Sequence, residues 1–146
     1  ERLGTDRECA YYVVRALGRL RHREAAPDLI ALHPKAAPLE KVAIIEALGA
    51  IGTPAAVRFL ETELHGRDRE RRRAAAAALA KHHREGRLPA FLKLARAEDW
   101  ALRNTAAWAL GELGSEDAVP VLKKLTSDPE EVVARTARSA LEKLGS

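Results

Sequence analysis

Apolar and polar positions alternate along this chain with two superimposed periods. The short one is helical: Leu102, Ala106, Ala109, Leu110 and Leu113 fall three or four residues apart (one step is a single residue) and keep one face of a helix apolar. The long one is 31 residues, because Ala-Leu pairs recur at Ala16-Leu17, Ala47-Leu48, Ala78-Leu79, Ala109-Leu110 and Ala140-Leu141. Flanking positions hold the same step. Gly18, Gly49 and Gly111 follow the leucine, with Ala80 and Glu142 in the other two copies. Leu20, Ile51, Leu113 and Leu144 stand three residues beyond it, and His82 breaks that series. A fixed period of this length marks one helical unit written repeatedly.

Each Ala-Leu pair lies on a segment we term the second helix, predicted at about 6–20, 38–51, 69–83, 99–113 and 130–144. Between them Val57, Leu60 and Leu64, then Leu88, Phe91 and Leu94, then Val119, Leu122 and Leu125 predict first helices. Thr53-Pro54, Ser115-Glu116-Asp117 and Asp128-Pro129-Glu130 read as helix starts, a capping side chain followed by proline or acid. Gly52, Gly114 and Gly145 fall just past second helices, where a left-handed closing residue favours glycine. Pro27, Pro89 and Pro120 share one register and are read as lying several residues inside their first helices, where a lost backbone bond predicts a common bend. One such helix pair cannot bury its apolar stripe alone, so successive pairs must stack, each chiefly on its neighbours. The expectation is a single all-α domain over residues 1–146.

The two ends differ. Arg138 stands where the other copies have Val14, Ile45, Ala76 and Ala107, and polar Glu142 replaces the usual glycine, as expected for the solvated face of a terminal repeat close to the natural end of the array. Glu1 to Gly4 reads as the tail of a missing first helix, so the first repeat is expected to be incomplete and the chain a piece of something longer, to which its lack of methionine also points. Val13 and Val14 carry no polar substitution. An apolar N-terminal face is therefore expected, covered by preceding repeats or by a self-association contact.

The stretch Ala101-Leu102-Arg103-Asn104-Thr105-Ala106-Ala107-Trp108-Ala109-Leu110-Gly111-Glu112-Leu113-Gly114, followed by Ala118-Val119-Pro120-Val121-Leu122, resembles the short HEAT-like repeat of phycobilin lyases, and nearly the whole chain fits it. The resemblance implies a right-handed α-solenoid of about five stacked helix pairs, with the second helices lining its concave side. Carried over by register, the positions projecting there are Tyr11, Tyr12, Arg15 and Arg19, then Val42, Ala43, Glu46 and Ala50, then Arg73, Ala74, Ala77 and Lys81. Asn104, Thr105, Trp108 and Glu112 follow, and then Arg135, Thr136, Ser139 and Lys143. The resemblance also implies that the motif arginine, here Arg72 and Arg103 with Lys41 in register and Ala10 and Ala134 departing, ties adjacent repeats together; Asp68 and Asp99 are the acidic partners expected for it.

Composition narrows what such a face can do. The chain is 47% apolar and 32% charged but only 4% aromatic, so its core must be built from small side chains that let helices approach closely. No run approaches the ~18 apolar residues of a membrane span, and no signal peptide opens the chain. The single cysteine, Cys9, cannot pair within the chain; it is read as a small packed side chain in a reducing, cytoplasmic setting. The net charge is +4, concentrated between Arg67 and Arg87, where Arg69, Arg71, Arg72, Arg73, Lys81 and Arg84 outnumber Asp68, Glu70 and Glu85. Successive residues point ~100° apart around a helix, so most of the Arg69 to Arg73 run is read as a solvated face.

Trp108 is the sharpest single residue, standing where other copies carry Arg15, Glu46, Ala77 and Ser139. A large aromatic among small or polar equivalents is what a contact anchor looks like, although it can also lie flat over a neighbouring helix. Tyr11 and Tyr12 are either contacts or a patch near the end, and Trp100 is read as a packing or staple residue.

Catalytic chemistry is not expected. His22, His33, His65, His82 and His83 show no metal-ligand spacing, and adjacent His82 and His83 point apart on a helix. Deoxyhypusine hydroxylases share this repeat type but rely on His-Glu pairs, whereas each histidine here is followed by Arg, Pro, Gly or His. Phosphate-cradling glycine loops and nucleophile elbows are absent too. No cofactor or metal is expected. The reading that explains most of the sequence is a non-catalytic scaffold binding another protein on the second-helix face. Two alternatives stay open: a nucleic-acid module resembling the HEAT-like DNA glycosylases, and a shape-giving subunit of a phycobilin-lyase-type enzyme. Arg15, Arg19, Arg73, Lys81, Arg135 and Lys143 favour the former, whereas Glu46 and Glu112 interrupt their path.

Overall fold

A computed structural model of the chain describes residues 2–82 and 87–146, and every regular element among them is helical. The helices are α1 (Arg2–Arg19), α2 (Ala26–Leu32), α3 (Pro38–Ile51), α4 (Pro54–Glu63), α5 (Arg69–Ala80), α6 (Leu88–Leu94), α7 (Trp100–Leu113), α8 (Val119–Leu125) and α9 (Glu131–Lys143). Odd-numbered α1, α3, α5, α7 and α9 carry the Ala-Leu pairs. They form two compact units, Glu1–Leu79 and Ala80–Ser146. His83, Arg84 and Glu85, which entered the histidine and charge readings, lie outside the described residues, as does Glu1.

Within the first unit α1 packs along α3, and α2 and α4 pack on α3 from their own repeats. The second unit repeats the arrangement, with α7 along α9, α6 on α7 and α8 on α9. The periodic leucines are what these contacts bury: Leu48, Leu79 and Leu110 are at most 1% exposed, and so are Leu60, Phe91 and Leu122 of the first helices. Burying each such side chain contributes about 1.5–3 kcal/mol. Alanine fills the rest of the core, with Ala75, Ala76, Ala106, Ala107, Ala109 and Ala137 fully buried.

The small residues permit a specific approach. A Cβ placed on Gly18 would meet Ala47 Cα at 2.8 Å; on Gly49 it would meet Ala78 Cβ at 2.5 Å, and on Gly111 Ala140 Cβ at 2.7 Å. Within each unit, neighbouring second helices thus touch backbone to side chain through a Gly–Ala contact, α1 on α3 and α3 on α5 in the first and α7 on α9 in the second.

Helix ends follow the punctuation. The Thr53 hydroxyl accepts from the Ala56 N–H at 3.3 Å and the Ser115 hydroxyl from the Asp117 N–H at 3.3 Å. Gly52, Gly114 and Gly145 take φ values of 65°, 68° and 71°. Arg21 holds the same place in the first repeat, at φ 50°.

Four expectations change. Pro27, Pro89 and Pro120 stand in the first turn of α2, α6 and α8, where no intrahelical bond is lost, and a single 3₁₀ turn precedes α2 and α8. No proline bend follows. Arg2 to Gly4 continue α1 rather than belonging to another helix. Leu20 is 78% exposed because α1 ends at Arg19 and the chain turns away at Arg21. Cys9 is exposed rather than packed.

Candidate functional site

The positions that the repeat leaves unused for packing gather on the second helices. Tyr12, Arg15, Arg19, Glu46, Ala77, Lys81, Trp108, Arg135, Ser139 and Lys143 are exposed, and Tyr11, Val42, Ala50, Arg73, Ala74, Asn104, Thr105, Glu112 and Thr136 are half-buried. Ala43 departs from the set: it is buried, on the floor between α1 and α3.

Two grooves result, and they are register equivalents. In the first unit Arg15, Gly18 and Arg19 of α1 face Ala43, Glu46, Ala47 and Ala50 of α3 around a cavity of about 160 Å3. In the second unit Trp108 of α7 faces Arg135, Thr136, Ser139, Ala140 and Lys143 of α9 around about 270 Å3. Each pair of walls is set by its Gly–Ala contact, Gly18 on Ala47 and Gly111 on Ala140. The sequence showed the glycine period without showing its purpose, which is to bring two helices close enough for their outer residues to share a groove.

The walls differ in chemistry. Arg15 donates to the Tyr11 hydroxyl at 3.0 Å and lies 5.6 Å from that ring's centre, while Tyr11 and Tyr12 meet edge to face at 5.5 Å. The basic α1 wall therefore opposes Glu46. In the second groove the Lys143 ammonium donates to the Glu112 carboxylate, so these charges offset each other. The Thr136 hydroxyl donates to the Val132 carbonyl at 3.0 Å and the Thr105 hydroxyl to the Ala101 carbonyl at 2.9 Å, which leaves each only acceptor capacity outward. Asn104, one turn before Trp108, has a buried Oδ1 without a hydrogen-bond partner. The indole of Trp108 is 42% exposed. Trp100, read as a packing residue, is 39% exposed at the first position of α7 and packs only in part.

The motif arginine ties successive segments together, but not through the expected acids. Arg103 pairs with Asp128, which opens α9, and its Nη1 also donates to the carbonyls of Ala97 at 2.9 Å and Glu98 at 2.7 Å. Those bonds hold the Asp128 carboxyl below the usual carboxylate range, and the Arg103 guanidinium above its own. Asp99 instead caps α7 through the Ala101 N–H, and Asp68 caps α5 through the Arg71 N–H. Arg72 donates Nε to the Leu64 carbonyl at 3.0 Å. Of the basic run, Arg71 sits 3.8 Å from Glu63 of α4, Arg71, Arg72 and Arg73 are half-buried, and Arg69 is the exposed arginine among the four. That revises the reading of the run as a solvated face.

Among the described residues no three His, Cys, Asp or Glu side chains gather as a metal site would require, and no helix is long and apolar enough to cross a membrane.

A family model described as HEAT repeats matches residues 2–80 and again 60–142. Among solved structures the chain is similar to the complex of CpcE and CpcF of phycocyanin lyase from Nostoc sp. PCC7120, with 26% identity and a TM-score of 0.73 over 92% of this chain and 58% of that one. It is also similar to human deoxyhypusine hydroxylase, with 26% identity and a TM-score of 0.65 over 88% of this chain and 43% of that one. The chain thus spans less than two thirds of either structure, and its fold class is the all-α solenoid type that both share. No curated protein matches it in sequence.

Proposed function

This chain belongs to the HEAT repeat family, and from that premise we propose that it is a non-catalytic scaffold that holds a protein partner on the face formed by its second helices. One observation carries the proposal: the residues freed from packing, large and charged ones among them, lie together along grooves whose floors are fixed by Gly–Ala contacts. A rigid floor with variable walls suits recognition, because changing a wall residue does not disturb the stack. The structural relative CpcE/CpcF is a complex of two proteins, which supports a protein as partner. The absence of His-Glu pairs in the sequence supports a role outside the hydroxylase chemistry of the other relative. The scaffold would act in a reducing, cytoplasmic setting, in keeping with a lone cysteine.

Site-specific photo-crosslinking tests the proposal. A benzophenone side chain at Arg135, on the second-helix face, is compared with one at Lys123, exposed on first helix α8. The expected result is a discrete protein adduct from position 135 and none from 123. Equal adducts from both positions, or adducts to nucleic acid alone, would remove the scaffold reading.

A further inference from the structure

The two equivalent grooves have like floors but unlike walls. Position 108 carries tryptophan where position 15 carries arginine, and the opposite wall replaces Glu46 by Ser139. The α1–α3 groove is thus charged on both sides, whereas the α7–α9 groove has an apolar shelf on one side and Arg135 on the other. The small side chains of Ser139 and Ala140 leave the indole 42% exposed. Arg135 is exposed, and among the described residues it forms no ion pair. Lys143, by contrast, is engaged by Glu112.

We propose that the groove between α7 and α9 takes a short acidic peptide segment, an apolar side chain of which packs on Trp108 while a neighbouring carboxylate meets Arg135. The proposal rests on the scaffold reading and adds the chemistry of the partner. An indole half out of water gains most from an apolar group that covers it, and a guanidinium matches a carboxylate with two parallel bonds. A peptide offers both groups within two residues. A nucleic acid fits less well, since its affinity needs a run of cations, and of the two cations lining this groove Lys143 is paired with Glu112. The groove of about 270 Å3 is below the usual size of a small-molecule site but ample for one side chain.

The test uses the whole chain with Trp100→Phe, so that Trp108 is the one tryptophan. A fluorescein-labelled, end-blocked peptide Glu-Leu-Asp-Phe-Glu is titrated by anisotropy beside its counterpart with lysine at the three acidic positions and an oligothymidylate. The acidic peptide is expected to bind at least about tenfold tighter than the lysine peptide and to shift the Trp108 emission to the blue. Trp108→Ala and Arg135→Gln should each weaken it by about tenfold, and Lys123→Glu should not, with circular dichroism unchanged throughout. Equal binding of the two peptides, no binding of the acidic one, undiminished binding by Trp108→Ala, or binding of the oligothymidylate alone would each overturn the proposal. A protein adduct from position 135 without peptide binding would leave the scaffold reading standing and this one refuted.

Discussion

Arg103 of α7 grips Asp128 through two parallel bonds, Nε to Oδ2 at 2.7 Å and Nη2 to Oδ1 at 3.0 Å, with the aspartate side chain only 4% exposed. The second oxygen has further work, since Oδ1 also accepts the Glu130 N–H at the start of α9. Removing one partner of such a part-buried pair leaves the other charge unmatched, which costs about 1–3 kcal/mol. Arg103→Ala should therefore shift urea unfolding by that amount. Arg103→Lys should recover little, because an ammonium cannot reach the carboxylate and two carbonyls in one plane. The pair also contributes to acid sensitivity. Asp128 is held below its unfolded value of about 3.9, so its contribution is full above that pH and is lost as pH falls through the depressed folded value. Arg103→Ala should lose that part of the acid sensitivity.

The Gly–Ala contacts predict a second loss of a different origin. A methyl at Gly111 would stand 2.7 Å from the Ala140 Cβ and 2.9 Å from its backbone, which cannot yield as a flexible side chain can. Gly111→Ala should cost about 1–3 kcal/mol by pushing α7 and α9 apart, despite the higher helix propensity of alanine. Gly114→Ala meets no atom within 4 Å and should lose only the penalty of its positive φ, about 1 kcal/mol. Urea unfolding of the two variants separates contact from conformation.

Much of this architecture is legible in the sequence. The period placed the second helices to within a residue or three at most ends, because the Ala-Leu pair is a local signal written five times over and a closing glycine follows three of those helices. The partner of Arg103 was not legible for the same reason: the positions in register with Asp128 are Lys35, Gly66 and Ala97, so the acid occurs in one repeat only. Proline register was visible, yet the 3₁₀ turns that place Pro27 and Pro120 in a first turn have no apolar period to announce them. Of the candidate face, the shared register of Trp108, Arg135 and Lys143 on second helices is legible, although whether Trp108 is exposed or lies flat over a neighbour is not; the division into two unlike grooves depends on Gly–Ala distances, which no spacing reveals.

Arg21 holds the one left-handed turn of this register that lacks glycine among the described residues. Its N–H bonds to the Gly18 carbonyl at 3.0 Å, and the His22 N–H to the Leu17 carbonyl at 3.1 Å. Gly145 and Ser146 make the same two bonds to Glu142 and Leu141. A side chain in that conformation costs about 1–2 kcal/mol, partly offset by the freedom that glycine adds to the unfolded chain. Arg21→Gly should raise stability by roughly 0.5–1 kcal/mol in thermal or urea unfolding. A loss would mean that the arginine side chain makes a compensating contact.

His33 predicts how the first unit responds to mild acid. It is 4% exposed, its ring meets Phe59 edge to face at 4.9 Å, and its Nε2 has no hydrogen-bond partner. Burial holds its pKa below the ordinary value of about 6.5; Glu63 from α4 opposes that shift, and Arg71 from α5 and Lys41 from α3 reinforce it. The unfolded chain therefore binds a proton at a higher pH than the folded one. Stability from the neutral ring is complete above about 6.5 and is lost as pH falls from there through the folded value. Thermal unfolding between pH 7.5 and 5, roughly the range where histidine titrates, should show a falling midpoint for the native chain. His33→Phe, which keeps the ring and removes the titration, should flatten that fall. An unchanged slope would mean that the loss comes from other groups and that His33 takes up its proton without leaving the core.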